Sequence, residues 1–216
     1  MLIACWSTKG GVGTTVVAAA LALHLARATG VGAVVADLAG DVPAALGLPE
    51  PSPPGLAGWL GAGSDVPADA LTRIEVDAAP GLALLPRGAG ELASGRAAVL
   101  AAVLDAAPRP AVVDCGRVDL DGGAAATVAR RATRSLLVTR ACFMAVRRAG
   151  RAPVRPTGVV LVSEPGRSLT RDDVAAAVGA PIVAEVPVDP QVARHVDAGL
   201  LVGRVPRALH SLRAVA

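Results

Sequence analysis

The chain of 216 residues has no tyrosine, a single phenylalanine and two tryptophans, so aromatic side chains make up 1% of it. Binding of single-stranded nucleic acid by stacking bases on aromatic rings is thereby excluded as a principal mode, and the core must be assembled from Ala, Val and Leu. Lysine is almost as scarce: of the 21 basic side chains, 20 are arginine and one, Lys9, is lysine. Nowhere is there an apolar run of the roughly 18 residues needed to cross a bilayer. No basic leader and apolar stretch precede a cleavage site, because Met1–Trp6 runs directly into a glycine-rich turn. These absences predict a soluble protein without a secretion signal. Cys5, Cys115 and Cys142 are odd in number, lack metal-ligand spacing and lie in or beside apolar runs. They fit a reduced, cytoplasmic setting, with all three as small core or near-core residues. His24, His195 and His210 are equally isolated and are read as structural or surface residues.

What is present is apolar and unevenly charged. At 53% hydrophobic and 18% charged residues, the composition predicts one compact domain over residues 1–216. Residues 1–121 carry 7 basic and 12 acidic groups, whereas residues 122–216 carry 14 basic and 6 acidic groups. The second half, with Arg130, Arg131, Arg134, Arg140, Arg147, Arg148, Arg151 and Arg155, is a candidate surface for a polyanion such as DNA or an anionic membrane. The plainer reading is that these arginines solvate helix faces.

Short β-branched apolar runs alternate with longer Ala/Leu-rich segments, the pattern of a parallel sheet with crossover helices. Seven strands are predicted, at Leu2–Trp6, Ala33–Asp37, Leu82–Leu85, Ala111–Asp114, Ser135–Thr139, Thr157–Val162 and Ile182–Val186. Helices are expected over Thr14–Ala28, Val42–Leu46 and Glu91–Ala106, and after Thr170, where Asp173 stands at capping-box distance and Gly179 closes the helix. The Pro/Gly-rich stretch 47–70, with one short helical piece at Leu56–Leu60, reads as a surface excursion. The fold class is therefore α/β, a single-domain, doubly wound, mostly parallel sheet.

The first strand is followed by Ser7-Thr8-Lys9-Gly10-Gly11-Val12-Gly13-Thr14-Thr15-Val16 and then a strong helical pattern. A glycine-rich turn feeding a helix N-terminus aims several backbone N–H groups and the positive end of the helix dipole at one point, which suits a phosphate chain. Thr15 is placed to offer its hydroxyl to Mg²⁺. The common P-loop pattern has lysine where this chain has Thr14. Two rival readings use the same residues: a plain strand-to-helix turn with Lys9 solvated, and a dinucleotide fold in which Gly11, Gly13 and Asp37 form the fingerprint. The second fails at its third glycine position, which is Val16.

Lys9-Gly10-Gly11-Val12-Gly13-Thr14-Thr15 resembles the deviant P-loop of the ParA/MinD family of partitioning and positioning ATPases. Within that family it is similar to the pilus-associated CpaE/TadZ-like subset, in which the second lysine of the loop is replaced. The resemblance implies a P-loop NTPase fold, ATP and Mg²⁺ as ligands, and a face-to-face homodimer in which Lys9 reaches the partner's phosphates. It further implies chromosome-partitioning or pilus-assembly duties with an unidentified protein partner, and a cytoplasmic protein stationed at the membrane or the nucleoid.

Acids at the carboxyl ends of parallel strands face the ligand crevice in this architecture, which makes Asp37 and Asp114, with Thr15, candidates for Mg²⁺. Each is alternatively a helix or turn cap. In the resembled family the strand-end acid at Asp37 belongs to switch I, Asp114 matches the Walker B acid, and a further acid two residues beyond Asp37 positions the attacking water. Here that position is Ala39. Asp41 is the substitute candidate, together with Lys9 as a catalytic group, although Asp41 also suits the N-cap of Val42–Leu46. Loss of lysine at position 14 and of an acid at 39 predicts nucleotide binding with slow or absent hydrolysis; a pseudo-ATPase scaffold is the alternative. Later segments, Val138-Thr139-Arg140 and Val186-Pro187-Val188-Asp189-Pro190, resemble the family's base-cradling region, with Pro187 and Asp189 as cofactor-binding candidates. Ser163 or Glu164 replaces the family's adenine-reading asparagine. The segment Val205–Ala216 is amphipathic and basic, and packing against the body is the favoured reading.

Overall fold

A computed structural model of the chain describes residues 1–51, 54–63, 66–119 and 121–216. Eight strands form one sheet: β1 (Leu2–Ser7), β2 (Ala33–Asp37), β3 (Val76–Ala79), β4 (Leu82–Leu85), β5 (Ala111–Arg117), β6 (Arg134–Arg140), β7 (Gly158–Ser163) and β8 (Ile182–Pro187). Their spatial order is β3-β4-β2-β5-β1-β6-β7-β8. All neighbours run parallel except the hairpin β3–β4, which gives one edge an antiparallel strand that the sequence pattern did not predict. In the dinucleotide order 3-2-1-4-5-6, the first two strands are adjacent; here β5 lies between β1 and β2. That insertion removes the dinucleotide reading on topology as well as on motif.

Helices cover both faces: α1 (Thr14–Ala28), α2 (Val42–Leu46), α3 (Leu56–Gly61), α4 (Ala97–Ala106), α5 (Gly123–Arg131), α6 (Phe143–Ala149), α7 (Arg171–Val178) and α8 (Pro190–Asp197), with 3₁₀ helices at Ala68–Ile74 and Arg207–Ala214. The strands are apolar throughout because each is covered twice. Along β1, Leu2, Ala4 and Trp6 enter one core cluster with α3, α4 and α5, while Ile3 and Cys5 enter the other with α1 and α2. Trp6 is fully buried, and its indole N–H donates to Ser135 Oγ at 3.0 Å. The edge strand β8 alternates buried and exposed residues, as a half-covered strand should.

Several expectations meet structure that differs in detail. The helix expected from Glu91 begins only at Ala97, after a turn at Ser94–Arg96 in which Ala97 N–H donates to the Ser94 carbonyl at 3.1 Å. The stretch 47–70 is more than a surface excursion: α3 buries Leu56, Trp59 and Leu60 in the core, and Arg96 clamps it with its guanidinium 3.8 Å from the Trp59 ring centroid. Residues 52, 53, 64 and 65 of that stretch lie outside the described residues. The capping box forms, with the Thr170 hydroxyl accepting from Asp173 N–H and the Asp173 carboxylate accepting from Thr170 N–H, and Gly179 ends α7 in the left-handed region. The C-terminal segment is a 3₁₀ helix rather than an α-helix, and it packs Leu209 and Leu212 against α1 and β8.

Candidate functional site

The first long helix opens without a cap. Gly13, at its N-cap, sits at φ 93° and ψ 24°, no side chain accepts from the first-turn amides, and the first turn has no acidic residue. Helix N-termini leave backbone N–H groups unsatisfied and carry a partial positive charge, so the start of α1 asks for an anion. Gly11 also takes a positive φ of 73°, which explains glycine at 11 and 13 by backbone conformation. A β-carbon placed on Gly10, Gly11 or Gly13 would meet no protein atom within 4 Å, so the loop looks into open space. Arg140, at the end of β6, holds the loop from the side: its Nη2 donates to the Gly11 carbonyl at 3.0 Å, and its Nη1 donates to Glu164.

A cleft of about 600 Å³ lies over this loop. Gly10, Gly11, Gly13, Thr14 and Thr15 form its floor, Gly116 near the end of β5 lines one side, and Ala39, Asp41 and Arg87 close the far end. A second, apolar slot of about 410 Å³ shares Gly11, Gly13 and Val16 with the cleft and is walled by Val12, Val162, Val186, Pro187 and Val192. The pair of cavities, one polar over amides and one apolar beside it, has the shape of a site for a phosphorylated ligand with a flat apolar end.

Asp114, in the middle of β5, and Asp37, at the end of β2, are register partners, and both are fully buried. Their side chains do different things. Asp37 is absorbed by its own loop: Oδ1 accepts from Ala39 N–H at 2.9 Å and Gly40 N–H at 2.6 Å, and Oδ2 accepts from Val42 N–H at 3.0 Å. Burial raises its pKa, and these amides oppose the rise. Asp37, expected as a metal candidate, thus folds the turn and caps α2 from five residues upstream. Asp114 is less committed. Its Oδ1 accepts from Gly116 N–H at 3.0 Å, while Oδ2 is buried with no hydrogen-bond partner among the described residues. Burial pushes its carboxyl up to about 6, with the neighbouring Thr15 hydroxyl pulling the other way, although no hydrogen bond reaches Oδ2. An orphaned carboxylate oxygen beside a threonine hydroxyl and a phosphate-shaped floor suits a hard divalent cation that shares its shell with phosphate and water. The donor set therefore fits Mg²⁺.

Asp41 occupies the N-cap position of α2 yet makes no side-chain capping bond, and the N2 residue, Pro43, has no amide hydrogen to offer it. Its exposed carboxylate lines the cleft instead. Lys9 is exposed and does not line the cleft of its own chain; its charge is felt on the other side of the loop, where it helps lower the pKa values of Cys142 and Glu164. Thr14 is buried under the loop. Pro187 and Asp189 line the apolar slot, and the Asp189 carboxylate accepts from Gln191 N–H at 2.8 Å at the start of α8. Glu164 is locked between Arg140 and Arg167. Cys5 and Cys115 are core residues with pKa values raised by burial, whereas Cys142 is half-buried at the start of α6, and the backbone amides of Ala145 and Met144 lower its thiol. Two cationic wall residues, Arg87 and Arg117, were not signalled by any motif; standing just past strand ends was their only mark.

No family model matches the sequence, and no curated protein does. Solved structures match over nearly the whole chain. A ParA family ATPase from Chlorobium tepidum TLS is 18% identical with a TM-score of 0.80, covering 99% of this chain and 96% of that one. The MinC:MinD cell division protein complex of Aquifex aeolicus gives 20% identity and a TM-score of 0.78, covering 99% and 93%. The septum site-determining protein MinD of Pyrococcus horikoshii OT3, complexed with Mg-ADP, gives 18% and 0.76, with the same two coverages of 99% and 93%. At such identities the likeness establishes the fold.

Proposed function

We propose that this chain is a nucleotide-binding protein of the ParA/MinD type that takes Mg-ATP in the cleft, pairs with a second copy of itself face to face, and hydrolyses slowly or not at all. The observation that carries this reading is the uncapped start of α1 beneath open space, set beside a buried Asp114 oxygen without a partner. The triphosphate lies over the amides of the loop, and the base enters the apolar slot between Val162, Val186 and Pro187. Thr15 and Asp114 would hold Mg²⁺, which when bound would supply charge to offset that of the phosphate oxygens.

Pairing is supported by the position of Lys9. A lysine that ignores its own cleft yet stands exposed at the rim is free to serve a neighbour's phosphates, as a flexible point charge does. Beside the loop, α6 leaves Phe143 67% and Met144 46% exposed, and Thr8 Oγ1 fastens this helix to the loop through the Ala145 carbonyl. An apolar pair next to a cation with no salt-bridge partner among the described residues is a surface suited to a second copy. Slow turnover is supported by the buried Thr14, which offers no ammonium, and by Ala39, which offers no carboxylate; Asp41 is the remaining acid at that end. The output is spatial positioning or assembly in the cytoplasm, through a protein partner. The apolar face of the C-terminal segment is already packed on the body, so a basic, polyanion-facing surface is better supported than a lipid anchor.

Nucleotide affinity with and without Mg²⁺, phosphate release, and mass in solution test the proposal on wild type and Lys9→Ala. Expected are Mg²⁺-dependent ATP binding by both, and ATP-dependent doubling of mass by wild type alone. Tight binding without any phosphate release favours the pseudo-ATPase scaffold; absence of binding removes both readings.

A further inference from the structure

The loop poses a charge problem that the sequence motif leaves unsolved. A triphosphate brings several negative charges, yet position 14 carries a threonine and Lys9 lies outside the cleft of its own chain. Among the described residues, the cationic side chains lining the cleft are Arg87 and Arg117. Arg117 is exposed and already paired with Asp119 at 3.0 Å. Arg87 is half-buried, forms no salt bridge among the described residues, and makes only a 3.3 Å bond from Nη1 to the carbonyl of the next residue, Gly88. A guanidinium with five donors and one weak local bond is a cation held ready for an acceptor.

The topology says which part of a ligand Arg87 meets. It follows β4, and the path from the loop runs β1, β5, β2, β4, three strand spacings or roughly 14 Å. The apolar slot lies on the opposite side of β1, by β7 and β8. A nucleotide with its base in the slot therefore extends its phosphate chain away from β8 and toward Ala39, Asp41 and Arg87. Arg87 is also built to stay there. A β-carbon on Gly40, which has a φ of 104°, would approach the Arg87 Cδ to 3.3 Å, so the Asp37–Asp41 turn runs directly alongside the arginine stem. The backbone at 86–88 is pinned by Leu56 N–H to the Pro86 carbonyl and Ala57 N–H to the Arg87 carbonyl, both at 2.8 Å.

We propose that Arg87 binds the terminal phosphate, supplying from the opposite wall the cation that the loop lacks at position 14. This rests on the nucleotide-binding reading above. A planar fork suits a terminal phosphate with three free oxygens, and it distinguishes a triphosphate from a diphosphate, whose last phosphate ends short of it.

Equilibrium binding of ATP and ADP, each with Mg²⁺, to wild type, Arg87→Ala and Arg87→Lys tests the assignment. ATP affinity is expected to fall about 10- to 100-fold in Arg87→Ala, with ADP affinity nearly unchanged, and Arg87→Lys, which keeps the charge but not the fork, is expected to keep only part of the preference. Retained ADP binding shows that the variant is folded; should Arg87→Ala not fold, Arg87→Gln answers the same question. Equal losses for ATP and ADP, or no loss for either, overturn the assignment while leaving wild-type nucleotide binding intact. A wild type that binds neither nucleotide overturns the functional reading, and this assignment with it.

Discussion

Replacing Asp114 by asparagine should make the ligand-free protein more stable at neutral pH while removing its response to Mg-ATP. The carboxyl is fully buried and its pKa rises from an ordinary 3.8 to about 6. One unit is worth about 1.4 kcal/mol, so holding this charge costs the folded state up to about 3 kcal/mol at pH 7. Between pH 3.8 and 6 the folded chain holds the proton more firmly than the unfolded chain does. Stability is therefore greatest, as far as this group matters, below 3.8, and is lost as the pH rises through 6. Asparagine keeps an oxygen for the Gly116 amide but buries an NH₂, at about 1–3 kcal/mol, so the absolute gain at neutral pH is partly offset. The difference between two pH values is cleaner, because the amide cost is common to both. Urea unfolding of wild type and Asp114→Asn at pH 4 and pH 7.5 should show the variant gaining up to about 3 kcal/mol on wild type between the two. Asp37, also raised by burial, adds a slope of the same sign in wild type, and Asp114→Asn also removes the repulsion between these two register partners. With Mg-ATP at 100 times its dissociation constant, wild type should gain about 2.7 kcal/mol and the variant little. A stability difference that stays flat with pH would refute the argument, since it would mean that Asp114 is not a strained buried charge.

Three further outcomes follow from local geometry. Asp41→Asn should lower whatever phosphate release the wild type shows by about 10²-fold with ATP affinity preserved, read by single-turnover phosphate assay against a binding isotherm. Gly13→Ala forces a β-carbon onto a φ of 93° and should cost about 1–2 kcal/mol in urea unfolding and abolish nucleotide binding as the loop rearranges. Thr170→Ala, which removes the capping box of α7, should cost about 1 kcal/mol and leave nucleotide affinity alone, a control for effects that pass through stability only.

The sheet was readable from sequence because its strands are buried on both faces and so appear as uninterrupted apolar runs, as in Val34–Asp37 and Val112–Asp114. The antiparallel strand Val76–Ala79 was not, since Val76 and Asp77 are exposed at a sheet edge and the run carries no burial signature. Helices α5, α6 and α8 went unread for a related reason: each is 9 residues or fewer and mixes alanine with arginine or polar residues. The glycine-rich loop at the uncapped start of α1 was legible because its pattern is local in sequence, contained in residues 9–15. What Asp37 and Asp41 do was not legible, because the choice between them depends on which carboxylate reaches the Val42 amide, a matter of turn geometry. Arg87 was invisible for the same reason. Its place in the cleft comes from three strand spacings of lateral distance, which no sequence window contains.

The rim position of Lys9 has a practical corollary. Apart from the amine at the chain terminus, the polypeptide offers acylating reagents one primary amine, the only kind of nitrogen here that forms a stable amide with them, and it stands beside the glycine-rich loop. Mild acetylation followed by mass spectrometry thus reads a single coordinate of the molecule without any engineered label. Slower modification when ATP is added would record the closing of that rim, whereas an unchanged rate would record that it stays open.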